Sequence, residues 1–227
     1  MIRIENVSVV FDDFYALKGI HLTLHEKRIG IIGSNGSGKS TFARLINGLQ
    51  LPSEGKVEID DLATSKNGKA IRHKVGFVFQ NPDHQIIFPI VEEDLAFGLK
   101  NIGYNKKEIH QSIDALLTAY GATHLRYRKS HLLSGGEKQL LAILSVLVME
   151  PTYIVFDEPT TFLDLNNKRK IFQVINRLNQ TIIMVTHDLD LLAHFDRVLV
   201  FEQGCLVADD VPSASIKFYK SLSKATI

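Results

Sequence analysis

Nine consecutive residues, Gly33-Ser34-Asn35-Gly36-Ser37-Gly38-Lys39-Ser40-Thr41, have the spacing of a phosphate-binding loop. They fit G-x-x-x-x-G-K-[ST] in full, between an apolar run at 28–32 and a helical pattern from 41 to 49. Glycines let the backbone curl until successive N–H groups converge on an anion. The following helix adds its own unpaired N–H groups and a partial positive charge. In such a loop Lys39 reaches the β- and γ-phosphates, and Ser40 turns its hydroxyl to Mg²⁺.

Other candidates lie downstream. Asp157-Glu158 ends the apolar run 153–156. There the aspartate suits a cation opposite Ser40, and the glutamate suits a water poised for in-line attack on a γ-phosphate. Alone, the pair reads first as an acidic loop capping the next helix; the phosphate loop upstream decides for chemistry. His187 follows the apolar run 181–185, and Gln80 follows the run 75–79. Leu133-Ser134-Gly135-Gly136-Glu137 opens an apolar helix, so it reads either as a second anion-binding N-terminus or as an N-cap made by Ser134. Phe11, Phe14 and Tyr15 sit at the first turn, where an aromatic can stack on a base or simply pack.

The elements that must position these groups follow from pattern. Residues 2–11 and 20–24 read as strands around a turn at Asp12-Asp13. Residues 56–60 read as a strand and 64–69 as an exposed loop. The continuous apolar runs 28–32, 153–156 and 181–185 each lead into a polar loop and a helix. That arrangement is an α/β fold with a mostly parallel sheet covered on both faces. Ligands bind such sheets at the carboxyl ends of the strands, where all three clusters fall. Between them, 91–97 and 106–120 have helical spacing and suggest an inserted helical subdomain. Residues 166–178 read as a helix, 198–201 and 205–208 as a hairpin, and Pro212 onward as a terminal helix.

Composition narrows the class. The chain has 227 residues, 45% of them apolar, and a net charge of +1, which favours no nucleic-acid partner. Its one cysteine, Cys205, cannot form an internal disulfide. Residues 1–5 contain no apolar h-region, so no signal peptide is expected. The longest apolar stretch, 140–149, is too short to span a bilayer.

Taken together, these residues resemble an ATP-binding-cassette (ABC) ATPase, in the family's motif order and over nearly the whole chain. Residues 33–41 resemble Walker A, 153–157 Walker B, and Leu133 to Glu137 the signature. Glu158 matches the catalytic glutamate, Gln80 the Q-loop glutamine, Asp164 the D-loop aspartate, His187 the switch histidine and Phe11 the adenine-stacking aromatic. The resemblance implies one cassette domain over 1–227. It has a P-loop NTPase core, an N-terminal antiparallel β subdomain and a helical signature subdomain at about 81–150. It also implies ATP and Mg²⁺, with Ser40, Gln80 and Asp157 at the metal, and a head-to-tail dimer. In that dimer, a homodimer or a heterodimer with a related ATPase, Ser134, Gly135 and Gly136 face the nucleotide of the other subunit. Three positions depart from the family pattern: Glu137 where glutamine is commoner, Leu140 where arginine is common, and Phe162 where a small residue is usual.

The run Gln80-Asn81-Pro82-Asp83-His84-Gln85-Ile86-Ile87-Phe88-Pro89, continuing to Gly98, is similar to the energising subunits of energy-coupling factor importers. This narrower resemblance implies a peripheral position on the cytoplasmic face of the membrane. Its partners would be a transmembrane coupling subunit and a substrate-binding membrane subunit, docked around residues 81–98, with Asp94 and Phe97 as the positions to test. Within that group the chain is similar to biotin-transporter ATPases; cobalt and nickel importers share the group. Conventional cassette transporters share the ATP chemistry. Soluble cassette proteins of repair or translation fit poorly, and a P-loop kinase leaves the signature and His187 unexplained.

Overall fold

The computed structural model describes residues 1–225, with side chains through Leu222. In chain order the elements are β1 (Ile2–Phe11), β2 (Phe14–Leu24), β3 (Arg28–Gly33), α1 (Lys39–Ile46), β4 (Glu54–Ile59), β5 (Leu62–Ala63), α2 (Gly68–Lys74) and β6 (Val75–Val78). They continue with α3 (Val91–Asn101), α4 (Lys106–Ala119), α5 (Gly135–Leu147), β7 (Tyr153–Asp157), α6 (Leu165–Asn176), β8 (Thr181–Val185), β9 (Arg197–Glu202), β10 (Cys205–Asp210) and α7 (Pro212–Ala225). They pack as two compact units. One comprises residues 1–77, 152–158 and 180 onward, and the other comprises Val78–Pro151 and Pro159–Asn179.

The first unit holds two sheets. The larger runs β10-β9-β3-β8-β7-β6, and the smaller runs β2-β1-β4-β5. Strands β3, β7 and β8 are almost wholly buried because apolar residues cover both of their faces. β3 pairs in parallel with β8 and with β9, and β7 pairs in parallel with β8. Asp157 stands opposite Val185, and Ile31 also stands opposite Val185. The loops after β3, β7 and β8 therefore leave the sheet at one edge, the geometry that gathers a ligand site. Helix α1 is fixed beneath that edge by Phe42, fully buried, whose ring centroid lies 4.9 Å from that of Phe201 on β9. Phe42→Ala is expected to destabilise the protein by about 3–5 kcal/mol, the cost of a buried ring and its cavity. Chemical denaturation measures it.

The second unit is helical. Asn105 and Glu108 form a reciprocal capping box at the start of α4. Buried Arg126 donates to Glu92 Oε1 of α3 at 3.1 and 2.6 Å and also pairs with Asp114 of α4, which ties the two helices to the chain that follows.

Several elements differ from the sequence reading. β2 begins at Phe14 rather than 20, because Gly19 in the left-handed region (φ 56°) carries the strand through an irregular register. The stretch read as an exposed loop contains buried Thr64 and the first turn of α2. α1 starts and stops earlier than the pattern indicated, and α3 continues four residues further.

Candidate functional site

The first unit brings Phe11, Phe14, residues 35–41 and Glu158 around one cleft of about 280 Å³. The loop gets its shape from glycines. Gly38 precedes α1 with φ 98°, and a Cβ there would lie 2.5 Å from the Ala16 carbonyl oxygen. No other residue fits that close approach without moving β2. The hairpin turn supports the loop from the other side: Gly204 N–H donates to Ser37 O at 3.1 Å, and Lys18 N–H donates to Gly204 O at 2.9 Å.

Lys39 is only 5% exposed. Its Nζ donates to Gly33 O at 3.0 Å and Ser34 O at 2.7 Å, so the ammonium lies folded over the loop. Burial lowers its pKa, against the pull of Glu158, Asp157 and Glu202. Burial raises the pKa of Asp157, while the hydrogen bond from Ser40 Oγ (2.9 Å) works the other way. Each charge is thus held in a place that disfavours it until an opposite charge arrives. The groups present fit an anionic polyphosphate beside Lys39 and a hard cation beside Ser40 and Asp157, both of which supply oxygen ligands. The buried Ser37 Oγ has no hydrogen-bond partner in the protein, a further polar atom turned into the loop.

Glu158 takes a left-handed backbone (φ 52°), uncommon for a residue with a side chain and of a kind that collects at functional sites. Its N–H donates to Val185 O at 3.0 Å, and its Oε1 lies 2.9 Å from His187 Nε2. The sequence-derived set Phe11, residues 33–41, Asp157, Glu158 and His187 therefore belongs to one unit. Glu202 joins this unit's site unforeseen: it accepts from Ser34 Oγ at 2.9 Å. Its signal was present, an acid at the carboxyl end of a buried strand, as for Asp157.

The second unit holds Gln80, Ser134, Gly135, Gly136 and Asp164. Ser134 is the N-cap of α5: Glu137 N–H donates to its Oγ at 3.4 Å, while Glu137 Oε2 accepts from Ser134 N–H at 2.7 Å. Arg128 adds a bond to Glu137 Oε1 at 2.9 Å. This reciprocal box and ion pair account for a glutamate at position 137. Asp164 caps α6, accepting from Asn167 N–H at 2.8 Å and Asn167 Nδ2 at 3.0 Å. Asn167 in turn lies against Gly136, where a Cβ would stand 2.5 Å from its Oδ1. Phe162 is 68% exposed. Leu140 lines a cleft with His124, Asn167 and Lys170.

Around 81–98 Asp83, His84 and Glu93 are exposed, but Asp94 is not. Asp94, expected as a surface contact, is 6% exposed and accepts from Ile87 N–H at 2.8 Å and Phe88 N–H at 3.0 Å. Three consecutive acids at a helix start do not reveal that a loop folds back onto one of them. The exposed large apolar side chains are Ile87 (67%) and Phe97 (39%), the Phe97 ring lying tilted against Phe88 at 5.3 Å between centroids. No helix among the described residues is long and apolar enough to cross a membrane.

Known proteins place the chain. The family described as ABC transporter matches residues 17–161. The biotin transport ATP-binding protein BioM of Rhizobium etli is 45% identical over 222 residues, covering 98% of this chain and 99% of that one. The energy-coupling factor transporter ATP-binding protein EcfA1 of Clostridioides difficile is 39% identical over 235 residues, covering 99% of this chain and 85% of that one. The solved structure of cbiO1 from Clostridium perfringens, described as part of the ABC transporter complex cbiONQ, superposes with a TM-score of 0.84 at 33% identity, covering 98% of this chain and 93% of that one. The chain belongs to the ABC transporter family, as an ATP-binding, ATP-hydrolysing subunit of the energy-coupling factor type.

Proposed function

We propose that this subunit energises a membrane importer for biotin, working from the cytoplasmic face as one cassette domain over residues 1–227. The observation that carries the ATP chemistry is the single cleft holding Phe11, the phosphate loop and Glu158, with Ser40 bonded to Asp157 at its cation side. Phe11 stacks on adenine, with Phe14 at the same cleft. The N–H groups of residues 33–41 and the Lys39 ammonium hold the phosphates. Ser40 and Asp157 would hold Mg²⁺, with Gln80 the further ligand that the family resemblance implies; the ion would neutralise phosphate charge. Glu158 accepts a proton from water as its oxygen bonds to the γ-phosphorus and the bond to the bridging oxygen breaks, releasing ADP and phosphate. His187, 2.9 Å from Glu158, orients that carboxylate.

Ser134, Gly135, Gly136 and Asp164 serve the nucleotide of a second copy in a head-to-tail dimer, with exposed Phe162 at the seam. The face around Ile87 and Phe97 docks a transmembrane coupling subunit, and a separate membrane subunit binds the transported compound. The names of the EcfA1 and BioM relatives support this assignment, and the latter supports biotin.

Tagging the chain in its own cells, solubilising the membranes and identifying what co-purifies tests it. A small polytopic subunit plus a separate membrane protein carrying biotin is the expected result. A bound metal in that protein overturns biotin, and two conventional permeases overturn the importer class. Replacing Ile87 and Phe97 with glutamate is expected to cut capture at least about tenfold, as loss of an interface anchor does. Capture equal to that of the native chain sinks the docking face.

A further inference from the structure

Three side-chain bonds, from Asp83, Gln85 and Asp94, join the stretch 83–94 to one stripe of α5, the helix that opens with Ser134-Gly135-Gly136. Lys138 Nζ binds Asp83 Oδ1 at 2.7 Å. Gln85 Nε2 donates to Ala142 O at 2.7 Å. Ser145 Oγ lies 2.9 Å from Asp94 Oδ2, sharing its proton with Leu141 O, while Asp94 Oδ1 takes the N–H groups of Ile87 and Phe88. Positions 138, 142 and 145 are spaced i, i+4, i+7, one face of a helix. Gln85 also reaches back: its Oε1 accepts from Phe79 N–H at 3.2 Å, next in sequence to Gln80. At the far end Ser130 Oγ donates to Phe88 O at 2.8 Å.

We propose that this stripe clips residues 83–88 to α5, so that the signature end of the helix and the Ile87–Phe88 loop move as one body. Gln85 and Ser145 are then positioning residues: they touch neither nucleotide nor partner, but set where the docking loop stands when the signature moves. Gln85 must be an amide, because one end accepts and the other donates. A glutamate has the same shape but would set a carboxylate against the Ala142 carbonyl. The functional meaning of the clip rests on the docking reading above; the mechanical coupling does not.

Hydrogen exchange of the full chain with and without Mg·ATP reads the coupling. In the native protein ATP is expected to slow exchange in both 134–140 and 84–90. In the Gln85→Glu, Ser145→Ala double variant, protection of 134–140 should persist, while the ATP-dependent protection of 84–90 falls at least tenfold. A merely structural role would raise exchange at 84–90 equally with and without ATP, leaving their ratio unchanged, and that result overturns the proposal. So does native protein in which ATP protects only one of the two segments. Single Gln85→Asn and Ser145→Thr variants, which keep the hydrogen-bonding groups, are expected to retain coupling better than the double variant; equal loss overturns the hydrogen-bond account. In the membrane capture experiment the double variant should bring down the same partners as the native chain. Loss of capture by the variant alone places these residues in the docking face and overturns their positioning role. Absence of any partner with the native chain removes the docking reading but leaves the exchange result standing.

Discussion

Glu158→Gln is expected to bind ATP as the native protein does and to lower kcat by about 10²- to 10⁴-fold, the range for loss of a positioned general base. The amide has the shape of the carboxylate and can keep the contact with His187, now 2.9 Å from Oε1. It cannot take the proton of the attacking water. The backbone cost of φ 52° is already met in the native fold, and glutamine meets it equally. Binding and turnover should therefore separate cleanly. With hydrolysis stopped, the ATP-bound dimer should persist, so size-exclusion chromatography in Mg·ATP should move the variant from monomer to dimer. Steady-state phosphate release equal to the native rate would remove Glu158 from this role.

Lys39→Ala is expected to weaken ATP at least about 100-fold, since a buried cation bonded to two phosphates supplies roughly 3 kcal/mol or more. Lys39 is 5% exposed and rests on the carbonyl oxygens of Gly33 and Ser34. Binding requires only that the ammonium swing from those oxygens to the phosphates, so the protein holds its counter-charge ready at little reorganisation cost. The variant also removes the ammonium that faces Asp157 and Glu158, the two acids whose pull partly offsets the burial that lowers the Lys39 pKa. Titration with a fluorescent ATP analogue measures the change, and an unaltered Kd would contradict it.

The phosphate loop, the strands β3, β7 and β8 and the acids after β7 were legible because each is written locally. Glycine spacing encodes a turn, and an unbroken apolar run encodes a doubly covered strand. Asp83 and Gln85 stood in a distinctive run whose reason was hidden, since their partners lie on α5 about 50–60 residues away. Asp94 misled for the same cause: an acid in a helix's first turn normally faces water, and only the fold-back of Ile87 and Phe88 buries it. α2 was lost because a single residue, Ile71, is buried among Gly68–Lys74, too little to print a period. Glu137 looked like a departure and proved a cap.

The order of the central strands also bears on how the chain comes off the ribosome. β3 is among the first strands made, yet both of its neighbours, β8 and β9, follow about 150 residues or more later, roughly 8–30 s at ordinary elongation rates. For that interval a largely apolar strand has two unpaired edges, the condition that invites pairing with another nascent chain. Residues 78–151, most of the other compact unit, are complete before β8 is made and can gather first. A ribosome that stalls between β7 and β8 would therefore release a chain with an organised helical part and an open sheet. Chaperone occupancy during that window, more than the stability of the finished fold, would set the yield of this protein in the cell.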